Sequence, residues 1–569
     1  MVWEPLNLTQ VCPAHTQQTA CSPFGYVLLN FITQLFGDSV DRRVQESLRK
    51  LDNGDSENCN QNYTCYGDGY TESYERERDD YDFIVVGAGA AGCVVTNRLV
   101  ENNYKVLLLE AGDEQPDITL VPGLSTSFLG SNIDWQYYTA PNGKSCLGRE
   151  GQRCSWPRGK TMGGSSSINS MSYYVSHLPY IDRPSFMMTK AFTERGIPLA
   201  DFNGANQFAT MQGQTFTLHG ERISANYAYI QPIRYKRKNL TVKVKSEVTK
   251  VLIDENKRAY GVIYEKNGRR YTAVAKNEVI VSGGAINSPK LLMLSGIGPK
   301  SHLESLGIHS IANLDVGYNL HDHVTFNGYA IHLPKGNSTL VDEKTIINDI
   351  LDYKLGKVKN GPISGNGAVN SIAFIKTEPY LPAEDIQYQC YNVILKEYLS
   401  NPALYESIST YPTPYYDAIV PRTMNVAPES RGRLYLNKTN PNGYPYIYPN
   451  YLDKKEDFVP IIKGVKFLLS LENTKAFKDM GAYFSREKLP GCKEYEWGSD
   501  EYTVCLTRTY TSSPYHPVGT CKMGPVGDKT AVVDPRLRVY GVANLRVIDA
   551  SIMPVVYERA IYYDRRKRG

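Results

Sequence analysis

The chain has 569 residues, of which 41% are apolar and 21% charged, an ordinary globular composition in a length that calls for two or more large domains. A formal net charge of +4 is small for this size and gives no ground for a nucleic-acid partner. The best apolar run, Phe24 to Phe36, covers 13 residues and includes Asn30 and Gln34, so it is too short and too polar to span a bilayer.

In chain order, the opening Met1-Val2-Trp3-Glu4-Pro5 lacks a basic segment followed by an apolar one, so no secretory signal is visible. The apolar run at 24–36 reads as an amphipathic helix docked on the body. A polar stretch follows, and Thr71 to Asp80, with Glu72, Glu75, Arg76, Glu77 and Arg78, reads as a solvated linker that closes an extension over 1–80. At Tyr81 the pattern changes. Asp82-Phe83-Ile84-Val85-Val86 predicts a strand, Gly87-Ala88-Gly89-Ala90-Ala91-Gly92 a turn into a helix, and Lys105 to Leu109 a second strand ending on Glu110. Together these form a dinucleotide-binding pattern. Gly87 allows the tight turn, Gly89 lets a pyrophosphate approach the backbone, and Gly92 lets helix and strand pack closely. The helix start offers N–H groups to phosphate. Glu110, 18 residues after Gly92, stands where a carboxylate accepts hydrogen bonds from ribose hydroxyls. The motif alone does not separate NAD from FAD.

Further strands are expected at Leu240–Val244, Val248–Ile253 and Gly261–Tyr264, with Lys266-Asn267-Gly268-Arg269 as a hairpin turn. Glu278 to Ser282 reads as a strand entering Gly283-Gly284-Ala285. Ser288 then suits an N-cap and Pro289 a first helical position, with the helix ending near Gly296. Residues 325–515 mix both patterns. Tyr is abundant, 43 against 16 Phe, which fits half-buried surface or an aromatic-lined cleft. Eleven Cys include the close pairs Cys59/Cys65, Cys146/Cys154 and Cys492/Cys505, with Cys12/Cys21 as a fourth. None has zinc-like spacing. Disulfides would place the protein in an oxidising compartment, buried thiols are the alternative, and the odd total leaves at least one unpaired within the monomer. Cys93 reads as a packed thiol. Sequons at Asn7, Asn62, Asn239, Asn337 and Asn437 carry little weight at this composition.

Several long motifs stand in order: Gly87 to Gly92 with Glu110, Pro157-Arg158-Gly159-Lys160-Thr161-Met162-Gly163-Gly164-Ser165-Ser166-Ser167-Ile168-Asn169, Gly283 to Pro299, Val316 to His323, Tyr515-His516-Pro517-Val518-Gly519-Thr520-Cys521-Lys522-Met523-Gly524, Val533-Asp534-Pro535 and Leu545 to Pro554. Together they resemble the glucose–methanol–choline (GMC) family of flavoprotein oxidoreductases, most closely its insect glucose-dehydrogenase-like branch. The resemblance implies an α/β fold with a discontinuous Rossmann-like FAD-binding domain from 81–176, 235–325 and 516–569. Residues 177–234 and 326–515 would form an α+β substrate-binding domain containing an antiparallel sheet. It implies FAD, held by Gly87, Gly89, Ala90, Ala91, Gly92, Glu110, Arg158, Gly159, Met162, Gly163, Gly164, Ser165, Asn169, Val248, Gly283, Gly284, Asp549 and Ala550. The Gly163-Gly164-Ser165 loop and Asn169 would lie beside the flavin ring, and the Val248 backbone at the adenine edge. His516 would be the catalytic base, taking the hydroxyl proton as hydride passes to flavin N5. The substrate would be a sugar, polyol or other alcohol, and the acceptor oxygen, a quinone or another carrier, in an extracellular or secretory-lumen setting. His321-Asp322-His323 invites a metal reading. It matches the family's Asn-Leu-x-Asp-His element and lacks a third ligand, so no metal is expected.

Two departures stand out against that family. After Asn169-Ser170-Met171-Ser172-Tyr173 a block covering the cleft is missing, and similarity returns near Ala191-Phe192 and Asp201 to Gly204. Its loss should open the cleft to water. After Met553-Pro554 the family's Asn-x-Asn-Ala-Pro segment is replaced by Val555 to Gly569, so nothing matches the second catalytic position and a frayed basic tail is expected. The alternative to an enzyme is a catalytically impaired or non-catalytic GMC scaffold.

Overall fold

The computed structural model describes residues 2–44, 46, 75–76, 80–204, 207–366, 370–408 and 410–557, with the backbone alone at 75–76 and 172–175. The Cys59/Cys65 pair, the Asn62 sequon, most of the linker and the tail beyond Tyr557 lie outside these residues.

The apolar runs at 81–86 and 106–109 are the centre of a parallel sheet, buried on both faces. Leu240–Lys243 flanks Val106–Leu109, which pairs with Tyr81–Val86, which pairs with the end of Arg269–Val281; Leu545–Val547 closes the other side. The 13-residue strand Arg269–Val281 serves two partners. Its first half forms an antiparallel meander with Ala259–Lys266 and Glu247–Ile253, and its register shifts between Ala275 and Glu278 before it turns parallel. Lys266 pairs with Arg269, and Asn267 and Gly268 sit at φ +52° and +73°, the left-handed pair that a two-residue hairpin turn needs.

A second sheet is wholly antiparallel, in the order Tyr483–Phe484, Ile331–His332, Ala418–Asn425, Ile386–Val393, Ser371–Ile375, Thr210–Gln212. Helices Arg183–Glu194 and Phe458–Leu469 cover one of its faces, where Phe192 packs on Tyr388 and Phe467 at centroid distances of 5.2 and 6.4 Å. The opposite face turns toward the candidate site.

The run at 24–36 is the helix Pro23–Phe36, capped by Ser22 Oγ accepting from Gly25 N at 3.2 Å. It buries Leu28, Leu29, Ile32 and Phe36 against Phe128, Ile346, Ile350 and Tyr353. Each such side chain contributes about 1.5–3 kcal/mol, which holds this layer on the body. No helix among the described residues is long and apolar enough to cross a membrane. Cys12–Cys21, Cys146–Cys154 and Cys492–Cys505 are disulfides, while Cys93, Cys390 and Cys521 are buried thiols.

One local expectation needs correction. The helix over the second glycine motif runs Gly284–Leu294, so Ser288 is not its cap and Pro289 sits inside it. A proline there leaves the carbonyl four residues back without its N–H donor. Thr520 Oγ1 supplies the replacement, donating to Ala285 O at 2.7 Å. Ser288 Oγ instead accepts from Gly283 N at 2.9 Å and donates to Asp549 Oδ2 at 2.5 Å.

Candidate active site

A cavity of about 1980 Å³ runs between the two sheets, larger than the ~300–1,000 Å³ of common ligand sites. Its lining includes every expected site residue except Gly92, Met162 and Gly163. Those three pack the walls from behind. A Cβ on Gly92 would sit 1.9 Å from Gly87 O, one on Gly163 2.3 Å from Ser167 Oγ, and Met162 is fully buried.

At one end the glycines divide their work. Gly87 has φ +99°, and a Cβ there would lie 2.6 Å from Ser282 O, so turn and neighbouring strand both require glycine. Gly89, the residue before helix Ala90–Glu101, has nothing within 4 Å of its Cβ position. It opens a backbone cradle at a helix start, with Ala90 and Ala91 beside it, suited to an anionic pyrophosphate. Glu110 directly follows the next strand, Val106–Leu109. Its Oε2 accepts from Ala88 N and its Oε1 from Gly112 N, each at 2.8 Å. Burial pushes its pKa up to about 7 against those hydrogen bonds. Each oxygen keeps a second lone pair for a ribose hydroxyl.

The second glycine loop is pressed on the first. Gly163 N donates to Ala88 O at 2.8 Å, a Cβ on Gly164 would come within 2.7 Å of Gly89 Cα, and one on Gly159 within 2.2 Å of Gly164 O. Ser165 Oγ accepts from Gly159 N at 3.2 Å. Beside the Gly87 turn, at the end of the paired strand, Gly284, at φ +81°, also has open space at its Cβ position. Its N–H donates to Asp549 Oδ2 at 2.9 Å, which joins the Gly283-Gly284 turn to Ala550 at the start of the last short helical turn. Val248 lines the wall from the meander. Asn169 is fixed from behind: its Oδ1 accepts from Met171 N at 3.1 Å and from Arg222 Nη1 at 2.8 Å.

The same cavity is lined by His516. Its backbone N–H donates to Asp322 Oδ1 at 3.0 Å, and Arg158 Nη2 donates to the carbonyl of Tyr515, so the chain is clamped on both sides of the ring. Asp322 Oδ2 also accepts from Tyr451 and Ser513 hydroxyls at 2.5 Å each. Burial raises the Asp322 pKa to about 6 despite them. His516 Nδ1 lies 3.0 Å from His323 Nδ1. Burial first, then His323 and Arg158, hold the His516 pKa well below the usual histidine range, and burial holds that of His323 at about 3. Both rings are therefore neutral at pH 7. With Nδ1–H on His516 donating to His323, Nε2 of His516 carries the free lone pair, the tautomer a base requires.

His321 points elsewhere. Its Nδ1–H donates to Asn319 O at 2.6 Å, and its Nε2 accepts from Val556 N at 2.8 Å. That contact seats Val555, Val556 and Tyr557 on the cavity wall. The sequence reading thus missed His323 as the neighbour of His516. The only signal for it in the sequence is its place in the His321-Asp322-His323 element. It also missed a charged group on the second sheet's side, where Glu406 accepts from Arg149 at 2.6 Å and Arg422 at 3.3 Å. Burial opposes its ionisation, but the two guanidiniums hold its pKa below the usual range.

Two family models described as GMC oxidoreductase match the chain, the N-terminal one at 81–183 and 176–325 and the C-terminal one at 428–561. A Drosophila pseudoobscura pseudoobscura protein named glucose dehydrogenase [FAD, quinone] is 34% identical, over 84% of this chain and 83% of its own. Human mitochondrial choline dehydrogenase is 33% identical, over 84% of this chain and 86% of its own. Pyridoxine 4-oxidase from Mesorbium loti superposes with a TM-score of 0.67 at 23% identity, covering 84% of this chain and 95% of that one, a likeness of fold.

Proposed function

The chain belongs to the GMC oxidoreductase family, and from that premise we propose that it is an FAD-dependent oxidoreductase that oxidises the CH–OH group of an alcohol or sugar, with His516 as base. The observation that carries the reading is a neutral histidine, backed by His323, on the wall of the cavity that also holds the Gly89 cradle. The residues fit the cofactor: Gly89 and Gly284 leave backbone open where a phosphate and a flat ring need close approach, and Glu110 suits a ribose. In this reading 81–176, 235–325 and 516–569 bind the cofactor, and 177–234 with 326–515 bind the substrate.

FAD, when bound, supplies the hydride acceptor. The protein's part is the proton. Nε2 of His516 takes the hydroxyl proton as the C–H bond breaks, and the new charge is shared through Nδ1–H to the His323 lone pair. Asp322 and Arg158 hold the ring in place through its backbone. The electron acceptor is oxygen, a quinone or another carrier, and the three disulfides support an extracellular or lumenal site of action.

The test is anaerobic reduction of the flavin in FAD-loaded protein by sugars and alcohols, with His516→Ala alongside. Wild type should bleach with at least one substrate. The variant should retain FAD and lose roughly 10²–10⁴-fold in the reduction rate. Equal rates would remove His516 from the mechanism.

A further inference from the structure

The second sheet turns one face to the cavity, and strand alternation decides what it presents. Gln389 and Tyr391, two apart on one strand, both line the cavity, while Tyr388 between the helices faces the other way. On the neighbouring strand Arg422 pairs in register with Gln389 and lines the same wall. These residues, with Glu406, fall in the stretch between the segments that the family models match.

Arg422 is 7% exposed, yet its guanidinium is poorly satisfied. Nη2 reaches Glu406 Oε1 at 3.3 Å, and buried Nε has no acceptor. The Tyr391 ring lies 4.2 Å from the guanidinium carbon and holds one face of it. Glu406 does not neutralise the corner, because it is shared with Arg149, whose Nη2 donates to Oε2 at 2.6 Å. Two guanidiniums therefore face one carboxylate, in a place where an unpaired donor is costly. Glu406 Oε1 also lies 3.4 Å from the hydroxyl of Tyr515, the residue before His516, so the corner adjoins the proposed base.

We propose that Arg422 binds a carboxylate on the substrate, so that the alcohol oxidised here is a hydroxy acid or sugar acid rather than a neutral polyol. A planar carboxylate matches the fork of the guanidinium and supplies the missing unit of negative charge. The proposal rests on the function proposed above, since it names the substrate of that same site.

The test is calorimetric titration of the FAD-loaded protein with gluconate, glucuronate and mandelate, each against its uncharged amide, in wild type, Arg422→Gln and Arg422→Lys. The expected result is at least one acid bound roughly tenfold or more tighter than its amide, with that preference lost in Arg422→Gln and partly kept in Arg422→Lys. The acid–amide comparison in wild type stands by itself if a variant fails to fold. Equal affinities, no acid bound, or a preference that survives Arg422→Gln would overturn the assignment. Flavin reduction by neutral sugars with no preference for acids would overturn it too, while leaving the oxidoreductase function intact. Acid-selective binding without flavin reduction by any of these alcohols would support the Arg422 site and count against that function.

Discussion

His516 owes its readiness as a base to what lies behind it. Burial and the neighbouring His323 keep it neutral far below the ordinary histidine range, so between pH 6 and 7 its Nε2 stays free. The acid limb of kcat/KM should therefore fall below pH 6.5, since the limb marks protonation of the free enzyme's base; a midpoint at or above 6.5 in a pH–rate profile would contradict this. In the tautomer that leaves Nε2 of His516 free, His323, 3.0 Å away, supplies the lone pair that receives the Nδ1–H. Replacing it by Ala strands that donor in a buried place and frees the ring to turn. We expect His323→Ala to slow flavin reduction by about 10–100-fold with FAD retention unchanged. Loss of FAD in that variant would mean that His323 supports the cavity rather than the base.

At the scale of elements, the two glycine loops work as a pair, and one substitution at two places separates packing from binding. Gly89 stands before a helix with open space where a Cβ would go, whereas Gly164 sits at φ +54° with Gly89 Cα 2.7 Å from its Cβ position. Gly89→Ala should therefore fold with unchanged stability yet lose roughly tenfold or more in FAD affinity, because the methyl fills the cradle. Gly164→Ala should cost about 1–3 kcal/mol of stability through backbone strain and collision. Thermal melts and flavin absorbance after gel filtration read the two effects. Full FAD retention by Gly89→Ala would show that the cradle is not where the pyrophosphate sits. The Pro289 helix shows the same interdependence. Its first turn begins at Gly284 because Thr520, from more than two hundred residues away, caps the carbonyl that the proline leaves bare.

Across the whole molecule, what could be read in advance was whatever rests on local pattern. The paired apolar strands at 81–86 and 106–109, the Asn267-Gly268 turn and the glycine cradle follow from periodicity and from φ, properties of neighbouring residues. The start of the Gly284 helix, the His323–His516 contact and the Arg422 corner depend on side chains 193 or more residues apart or on opposite strands, and no local signal encodes them. His321 belongs with these. Its backbone exchanges hydrogen bonds with Val518, its Nδ1–H holds Asn319 O, and its Nε2 receives Val556 N, so one residue joins three segments, through its backbone to Val518 and through its ring to Val556. Burial, the largest cause, holds its folded pKa at about 4, against 6.5 when exposed. The folded state then binds fewer protons than the unfolded chain between those values. The His321 contribution is complete above pH 6.5 and is lost as pH falls toward 4, to a total of roughly 2–3 kcal/mol. His321→Gln keeps an acceptor for Val556 N without the titration. In urea unfolding between pH 4 and 7.5, wild type should lose stability relative to that variant on acidification, with the two curves parallel above pH 6.5. Curves parallel over the whole range would show that the ring is not held neutral, and that the closure of these three segments does not depend on it.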